Sequence, residues 1–319
     1  MEQLLHILPQ SLLDGLTLGF VYAMVALGYT MIYGVMELIN FAHSEVFMVG
    51  AFAGTEMLLF LQSRGYLSAM PAPVALIVAL LAGILMSGTL GMLIERIAYR
   101  PIRYAPRLVP FISAIGVSFF LQDAVRLIEG LWKNAFYLTA PTLFTSVITI
   151  TPELRVPAKS LIVILAALVM MLALNIFVTR SKWGKAIRAV AQDKETASLM
   201  SINVNSVIAL TFFVGGGMGG AAGTLFATQY SLIDPYIGFI LGIKAFTAAV
   251  LGGIGSIPGA MVGGLLLGIL ESTGIVILGF ATHGAIGIEY KDVLAFVILI
   301  IILIFKPGGI LGEEVREKA

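Results

Sequence analysis

The sequence predicts an all-α polytopic membrane protein, and three observations carry that prediction. Of 319 residues, 59% are hydrophobic and 12% are charged, about half the charged share of an average soluble domain. Mean hydropathy is +1.01. Apolar stretches near membrane length recur along the chain, separated by short polar joints, and about 20 apolar residues suffice to cross the hydrocarbon core. Such a chain has no room for an extra soluble domain, so residues 1–319 read as a single transmembrane domain. The 35 glycines suit helices that approach closely where water cannot drive association.

The apolar runs place spans at 12–33, 45–61, 74–94, 110–128, 161–178, 207–228, 238–251, 258–280 and 293–305. Two carry polar interruptions and 238–251 is short, so about eight or nine membrane segments are expected, some broken or short. Residues 1–10 contain Glu2 and His6 but no Lys or Arg, unlike the basic start of a cleavable signal, so the first span is expected to be retained.

Basic residues orient these spans. Arg96, Arg100, Arg103 and Arg107 crowd one joint, and Arg180, Lys182, Lys185, Arg188 and Lys194 crowd another. Both joints are expected in the cytoplasm. Two spans lie between them, so the joint at 130–159 falls outside, and with nine crossings the N-terminus is outside as well.

Two polar breaks echo each other. Residues 33–43, ending Ile39-Asn40-Phe41-Ala42-His43, interrupt the first half, and Tyr230-Ser231-Leu232-Ile233-Asp234-Pro235 interrupts the second. Paired breaks are what a transporter made of two related halves shows, with unwound backbone along the route. Two joints that simply look alike explain the echo equally well.

Chemistry concentrates at the first break. Asn40, His43, Ser44 and Glu45 put an amide, an imidazole, a hydroxyl and a carboxylate at the start of an apolar run. Such groups are costly in lipid and face a cavity, a neighbouring helix or the interface. Two readings stand: direct substrate contact, or a turn in which Asn40 caps the next helix and Glu45 offsets its dipole. Tyr22, Thr30 and Tyr33 either line a cavity or bond across helices. Asp234 sits in the second break. Asp123 and Arg126 lie three residues apart, a spacing at which they can pair on one helix face. The Lys244 ammonium, deep in 238–251, can snorkel, pair, or meet a substrate carboxylate.

Several classes are excluded or disfavoured. The run 252–259 is glycine-rich but lacks the Lys-Ser/Thr of a phosphate-binding loop, and no strand-Gly-helix dinucleotide signature occurs. It reads as a tight turn between packed helices, and any ATP hydrolysis belongs to another chain. There is no cysteine, and no metal-ligand cluster or nucleophile with an evident base appears, so no catalytic or metal residue is expected. The polar stretch 180–202 carries Ile187, Val190, Ala191, Ala197, Leu199 and Met200 at helical spacing among charges. It predicts short amphipathic helices that dock a partner or lie on anionic headgroups.

The motifs Gly28-Tyr29-Thr30-Met31-Ile32-Tyr33-Gly34, Ile39-Asn40-Phe41-Ala42-His43, Ile187-Arg188-Ala189-Val190-Ala191-Gln192-Asp193, the run from Lys244 to Ala260, and Lys306-Pro307-Gly308-Gly309-Ile310-Leu311-Gly312 resemble the LivH-type permeases of branched-chain amino-acid ABC importers over nearly the whole length. The resemblance implies a type II ABC importer-like permease in a bacterial or archaeal inner membrane. It implies a second related permease as heterodimer partner, two cytoplasmic ATPase chains that hold ATP and Mg, an external or periplasmic binding protein, surrounding lipid, and no nucleic acid. No cofactor is expected in this chain. Residues 180–202 would include the ATPase coupling helix, with Gly184, Arg188, Ala189, Asp193, Glu195, Ala197 and Met200 as coupling candidates. Thr30, Tyr33, Asn40, His43, Glu45, Asp234 and Lys244 are the candidates for the substrate route. The family usually has glycine where this chain has Ser44 and Ser201, and each Ser gives up freedom at positive φ. Urea or short-amide permeases share much of the pattern, and a gradient-driven carrier or channel remains the competing class.

Overall fold

Membrane-length helices do form along the apolar runs. The computed structural model describes residues 2–106, 108–151, 154–306 and 308–312, with side chains from His6 onward; Arg107 and the side chain of Glu2 lie outside the described residues. In chain order the elements are α1 (Glu2–Met36), α2 (His43–Ser63), α3 (Tyr66–Ala69), α4 (Ala72–Ile94), a π-turn (Glu95–Tyr99), a 3-10 turn (Arg100–Ile102), α5 (Leu108–Lys133), β1 (Leu138–Thr139), β2 (Val147–Thr149), β3 (Arg155–Pro157) and α6 (Ala158–Arg180). There follow α7 (Lys182–Gln192), α8 (Lys194–Leu199), α9 (Val204–Tyr230), β4 (Leu232–Ile233), α10 (Ile237–Gly252), α11 (Ile257–Ala281), a 3-10 turn (Ile288–Tyr290) and α12 (Lys291–Phe305). Among the described residues seven helices are long and apolar enough to cross a membrane. The 16-residue α10 and 15-residue α12 are each about 22–24 Å long and fall short of a full crossing.

Three helices form the centre. The apolar windows of α1, α9 and α2 are 89%, 83% and 72% buried, against 28% for α5, α6 and α11, so the latter present most of their surface to lipid or another chain. Close approach rests on glycine: a Cβ at Gly220 of α9 would lie 2.3 Å from the Gly83 carbonyl of α4, where no atom fits. Hydroxyls stitch the same contacts. Ser87 of α4 donates to the Val46 carbonyl at 2.9 Å, and Thr224 of α9 to the Gly50 carbonyl at 3.1 Å.

The two ends of the bundle separate as the charges predict. At one end Arg103 donates to Asn205 at 2.8 Å and Lys194 lies 4.0 Å from Glu37, so both basic joints meet there, the end assigned to the cytoplasm. The turn after α10 is here too, and the C-terminal glycine motif seals it: Ile310 and Leu311 amides donate to the Leu251 and Gly252 carbonyls at 2.8 and 3.0 Å. At the other end β1 pairs antiparallel with β4, β2 with β3, and the Arg155 amide donates to Gln10 at 3.2 Å. The joint at 130–159 and the start of α1 therefore share the outer end.

The first break lies inside the bundle, and the second leads into it from the outer end. Glu56 of α2 pairs with Lys133 at the outer end of α5, whereas Glu45 reaches Ser118 and Gln122 in the middle of α5. Thus α2 begins about halfway across and runs outward. Gly238, in the first turn of α10, packs against Ser44 and Glu45, and α10 runs from there to the basic end. The N-termini of two interrupted helices meet in the interior and diverge.

Candidate functional site

The first break climbs back from the basic end to this meeting point. Glu37 takes φ +57°, the left-handed conformation, at the turn out of α1. Asn40 is buried and its side-chain oxygen accepts a hydrogen bond from the Tyr99 hydroxyl at 2.6 Å. It does not cap α2: Ala42 holds the cap position with no side-chain bond. The amide is engaged by the π-turn after α4, so the capping expectation fails because a stronger partner sits nearer. Ser44 lies in helical backbone within α2, where the loss of a glycine costs nothing, whereas Ser201 does take φ +63°.

His43 is fully enclosed. Its ring fills a socket made by the absence of side chains on Gly28 and Gly219 and stands edge-on to Tyr29, centroids 4.7 Å apart. Neither ring nitrogen has a hydrogen bond of good geometry, nor does the hydroxyl of buried Thr30. Thr30, Tyr33 and Asn40 line one small cavity with Tyr29, Ile39 and Phe246, with free volume of ≈10 Å³, about enough for a single water.

Glu45 faces the other way. One carboxylate oxygen accepts hydrogen bonds from Gln122 at 2.8 Å, Ser118 at 3.1 Å and Ser44 at 3.2 Å. The other, Oε2, is buried without a partner and points at Gly238 in the first turn of α10. The α10 N-terminus offers it a partial positive charge, but no cationic side chain pairs with Glu45 among the described residues. Asp234, by contrast, shapes the approach to α10, accepting from the Tyr236 amide at 2.8 Å.

Lys244 belongs to a separate polar cluster. Its ammonium donates to Glu271 of α11 at 2.7 Å and lies 2.5 Å from Asp292 of α12. Tyr22 of α1 donates to the other Glu271 oxygen at 3.0 Å. Of the three options open in the sequence, the structure places Lys244 in pairing. Asp123 and Arg126 do not pair: Arg126 donates to Tyr236 at 3.0 Å and lies 5.4 Å from the Phe136 ring centre. The spacing allowed contact, but Tyr236, just before α10, offered a partner across the bundle.

At the basic end, α7 and α8 form as amphipathic helices. Ile187, Val190 and Ala197 are buried, while Leu199 and Met200, expected on the same apolar face, are 83% and 74% exposed. Gly184 and Arg188 fasten α7 to α6: a Cβ on Gly184 would strike the Phe177 and Val178 carbonyls, and Arg188 donates to Val178. Asp193 caps α8, accepting from the Glu195 amide at 2.9 Å and the Thr196 hydroxyl at 2.6 Å. These bonds, led by that hydroxyl, hold its carboxyl below the usual carboxylate range. A surface hollow at this joint is lined by Ala189, Asp193, Thr196, Ala197, Met200 and neighbours. Of the seven coupling candidates, then, Arg188, Asp193, Glu195 and Met200 are exposed and Ala189 half-buried, whereas Gly184 and Ala197 are buried against the chain's own bundle.

The sequence reading missed Tyr99, Gln122, Ser118 and Glu271. Gln122, Ser118 and Glu271 are polar side chains inside apolar runs, a signal for buried partnership; Tyr99 carries none, standing next to a basic joint like any interfacial tyrosine.

Seven helices long and apolar enough to cross a membrane among the described residues, with the starts of α2 and α10 meeting in the interior, define a polytopic α-helical membrane protein. The family described as "Branched-chain amino acid transport system / permease component" matches residues 11–303. The high-affinity branched-chain amino acid transport system permease protein BraD of Pseudomonas aeruginosa is 43% identical over the whole of both chains. LivH of Escherichia coli K12, of the same description, is 43% identical over 99% of each. A solved structure of PsaBC from Streptococcus pneumoniae aligns over 91% of this chain and 90% of its own, at 12% identity and a TM-score of 0.46. The chain belongs to the branched-chain amino acid permease family and is a multi-pass transport subunit.

Proposed function

We propose that this chain carries branched-chain amino acids across the inner membrane as one half of a permease pair, driven by ATP and Mg on two partner ATPase chains and supplied by an external binding protein. The observation that supports it best is Glu45. A buried carboxylate oxygen without a cation, at the junction of two interrupted helices, is suited to receive the ammonium of a zwitterion during transit. Thr30, Tyr33, Asn40 and His43 lie on the cytoplasmic side of that point and close the route. Binding there is weak by design of the chemistry, since tight binding would impede release. The exposed edge of α7–α8 receives the ATPase, and the full-length kinship with LivH and BraD favours the branched-chain class over amides or urea.

Reconstitution in proteoliposomes tests the reading. Uptake of leucine is expected only with the ATPase chains, ATP and Mg. Glu45→Gln is expected to raise the half-saturating concentration about tenfold, the loss of one charge-assisted contact, with basal ATP hydrolysis unchanged. Uptake by this chain alone without ATP would establish the gradient-driven carrier instead. Unaltered half-saturation in the variant would remove Glu45 from the substrate route.

A further inference from the structure

The π-turn after α4 touches both the first break and the start of α9, where the α7–α8 segment ends. On one side Glu95, wholly buried, pairs with Arg103 at 2.6 Å and Arg100 at 3.3 Å. Arg103 passes the contact on to the side chain of Asn205 at 2.8 Å, in the first turn of α9 and directly beyond residues 180–202. On the other side Tyr99, also fully buried, packs its ring on Phe212 of α9, centroids 5.7 Å apart, and donates to Asn40 at 2.6 Å. Asn40 stands in the break, three residues before His43 and five before Glu45. The nearby Lys194–Glu37 pair, at 4.0 Å, is another bridge between these parts, but it is long and exposed, and such pairs are worth little.

We propose that Tyr99 is the positioning residue of transport: through its hydroxyl the π-turn moves the Asn40 break when the 180–202 segment moves. The inference rests on the ATP-driven reading above. A π-turn is a single irregular turn in a helical run, and such turns recur at functional sites. This one is clamped at both ends by bonds that a rigid shift of α8 and the start of α9 would pull. Glu95 is the reason the clamp holds: a buried carboxylate cannot release Arg103 without a large penalty. Tyr99 then transmits the displacement through a short bond to Asn40, a buried polar side chain of the break.

The test uses the complete complex in proteoliposomes and reads ATP hydrolysed per amino acid imported. Tyr99→Phe keeps the ring on Phe212 and removes only the bond. It is expected to raise the ratio about five- to tenfold, the worth of one buried hydrogen bond, with basal hydrolysis near wild type. Asn40→Ala is expected to raise the ratio in the same direction, and the double variant to raise it no further than the larger single effect, because both delete one interaction. Asn205→Ala, at the exposed end of the clamp, gives the same direction should the buried variants fail to assemble. Tyr22→Phe serves as the control that loses a buried tyrosine bond elsewhere, and its ratio is expected to stay at wild type. A wild-type ratio in Tyr99→Phe, or an equal rise in Tyr22→Phe, overturns the inference while ATP-dependent uptake by the unaltered complex leaves the functional reading intact; absence of that uptake overturns the reading itself.

Discussion

Gly242 of α10 lies against Ser44 of α2 so closely that a Cβ on Gly242 would sit 2.1 Å from the serine Cβ. This contact brings the starts of the two interrupted helices together, and it couples two positions whose composition would otherwise be unrelated. Gly242→Ala is expected to destabilise the detergent-solubilised chain by about 1–3 kcal/mol through overpacking. In a Ser44→Gly background, where the nearest remaining atom of that residue is its Cα at 3.1 Å, most of the loss is expected to return. Thermal unfolding of the four chains in one cycle checks this, and equal losses in both backgrounds would refute the contact.

The Lys244 cluster sets a second expectation. Removing the ammonium by Lys244→Met leaves Glu271 buried without its cation, and breaking a buried pair costs about 3–5 kcal/mol. Pairing it with Glu271→Gln is expected to recover much of that. Asp292→Asn is expected to be mild, because the Asp292 side chain is 38% exposed. Unfolding midpoints of the three variants decide the order; a severe Asp292→Asn would reverse the assignment.

Cysteine labelling tests which face of α7–α8 is open. The natural chain has no cysteine, so an introduced one reports without background. Met200→Cys is expected to react with a water-soluble maleimide and to be shielded when the ATPase chains are added. Ala197→Cys, at a position 4% exposed, is expected to remain unlabelled in both states. Labelling of Met200→Cys that ignores the ATPase would move the docking surface elsewhere.

The Asp193 cap makes α8 sensitive to acid. Its carboxyl is held below the ordinary carboxylate value by the bonds it accepts, so its contribution is present above that ordinary value and is lost as pH falls through the lowered one. Amide exchange at Glu195 and Thr196 is expected to quicken over that acid range, and Asp193→Ala to show the faster rate at neutral pH. Exchange that is pH-independent after correction for intrinsic rates would discount the cap.

Much of this was legible beforehand, for identifiable reasons. Hydropathy located all nine apolar runs, because burial in lipid depends on each residue's own transfer energy. The two breaks stood out for the same reason: Asn40, His43 and Asp234 are expensive where they stand. The basic joints predicted one shared end, and Arg103 and Asn205 meet there. What could not be read was partnership. Asp123 and Arg126 were near in sequence and did not pair, whereas Tyr22 and Glu271, 249 residues apart, did.

The sequence by itself determined that the chain lives in a bilayer, which end is basic, where its helices are interrupted, and which family it belongs to. Those are properties of local composition and of motif, summed along the chain. Only the tertiary structure decided that the two interruptions face each other, that Lys244 is neutralised by Glu271 and Asp292, and that Asn40 is held by Tyr99. The physical reason is that a polar group in a low-dielectric interior must find a partner. Which partner it finds depends on the faces the helices turn toward one another, not on distance along the chain.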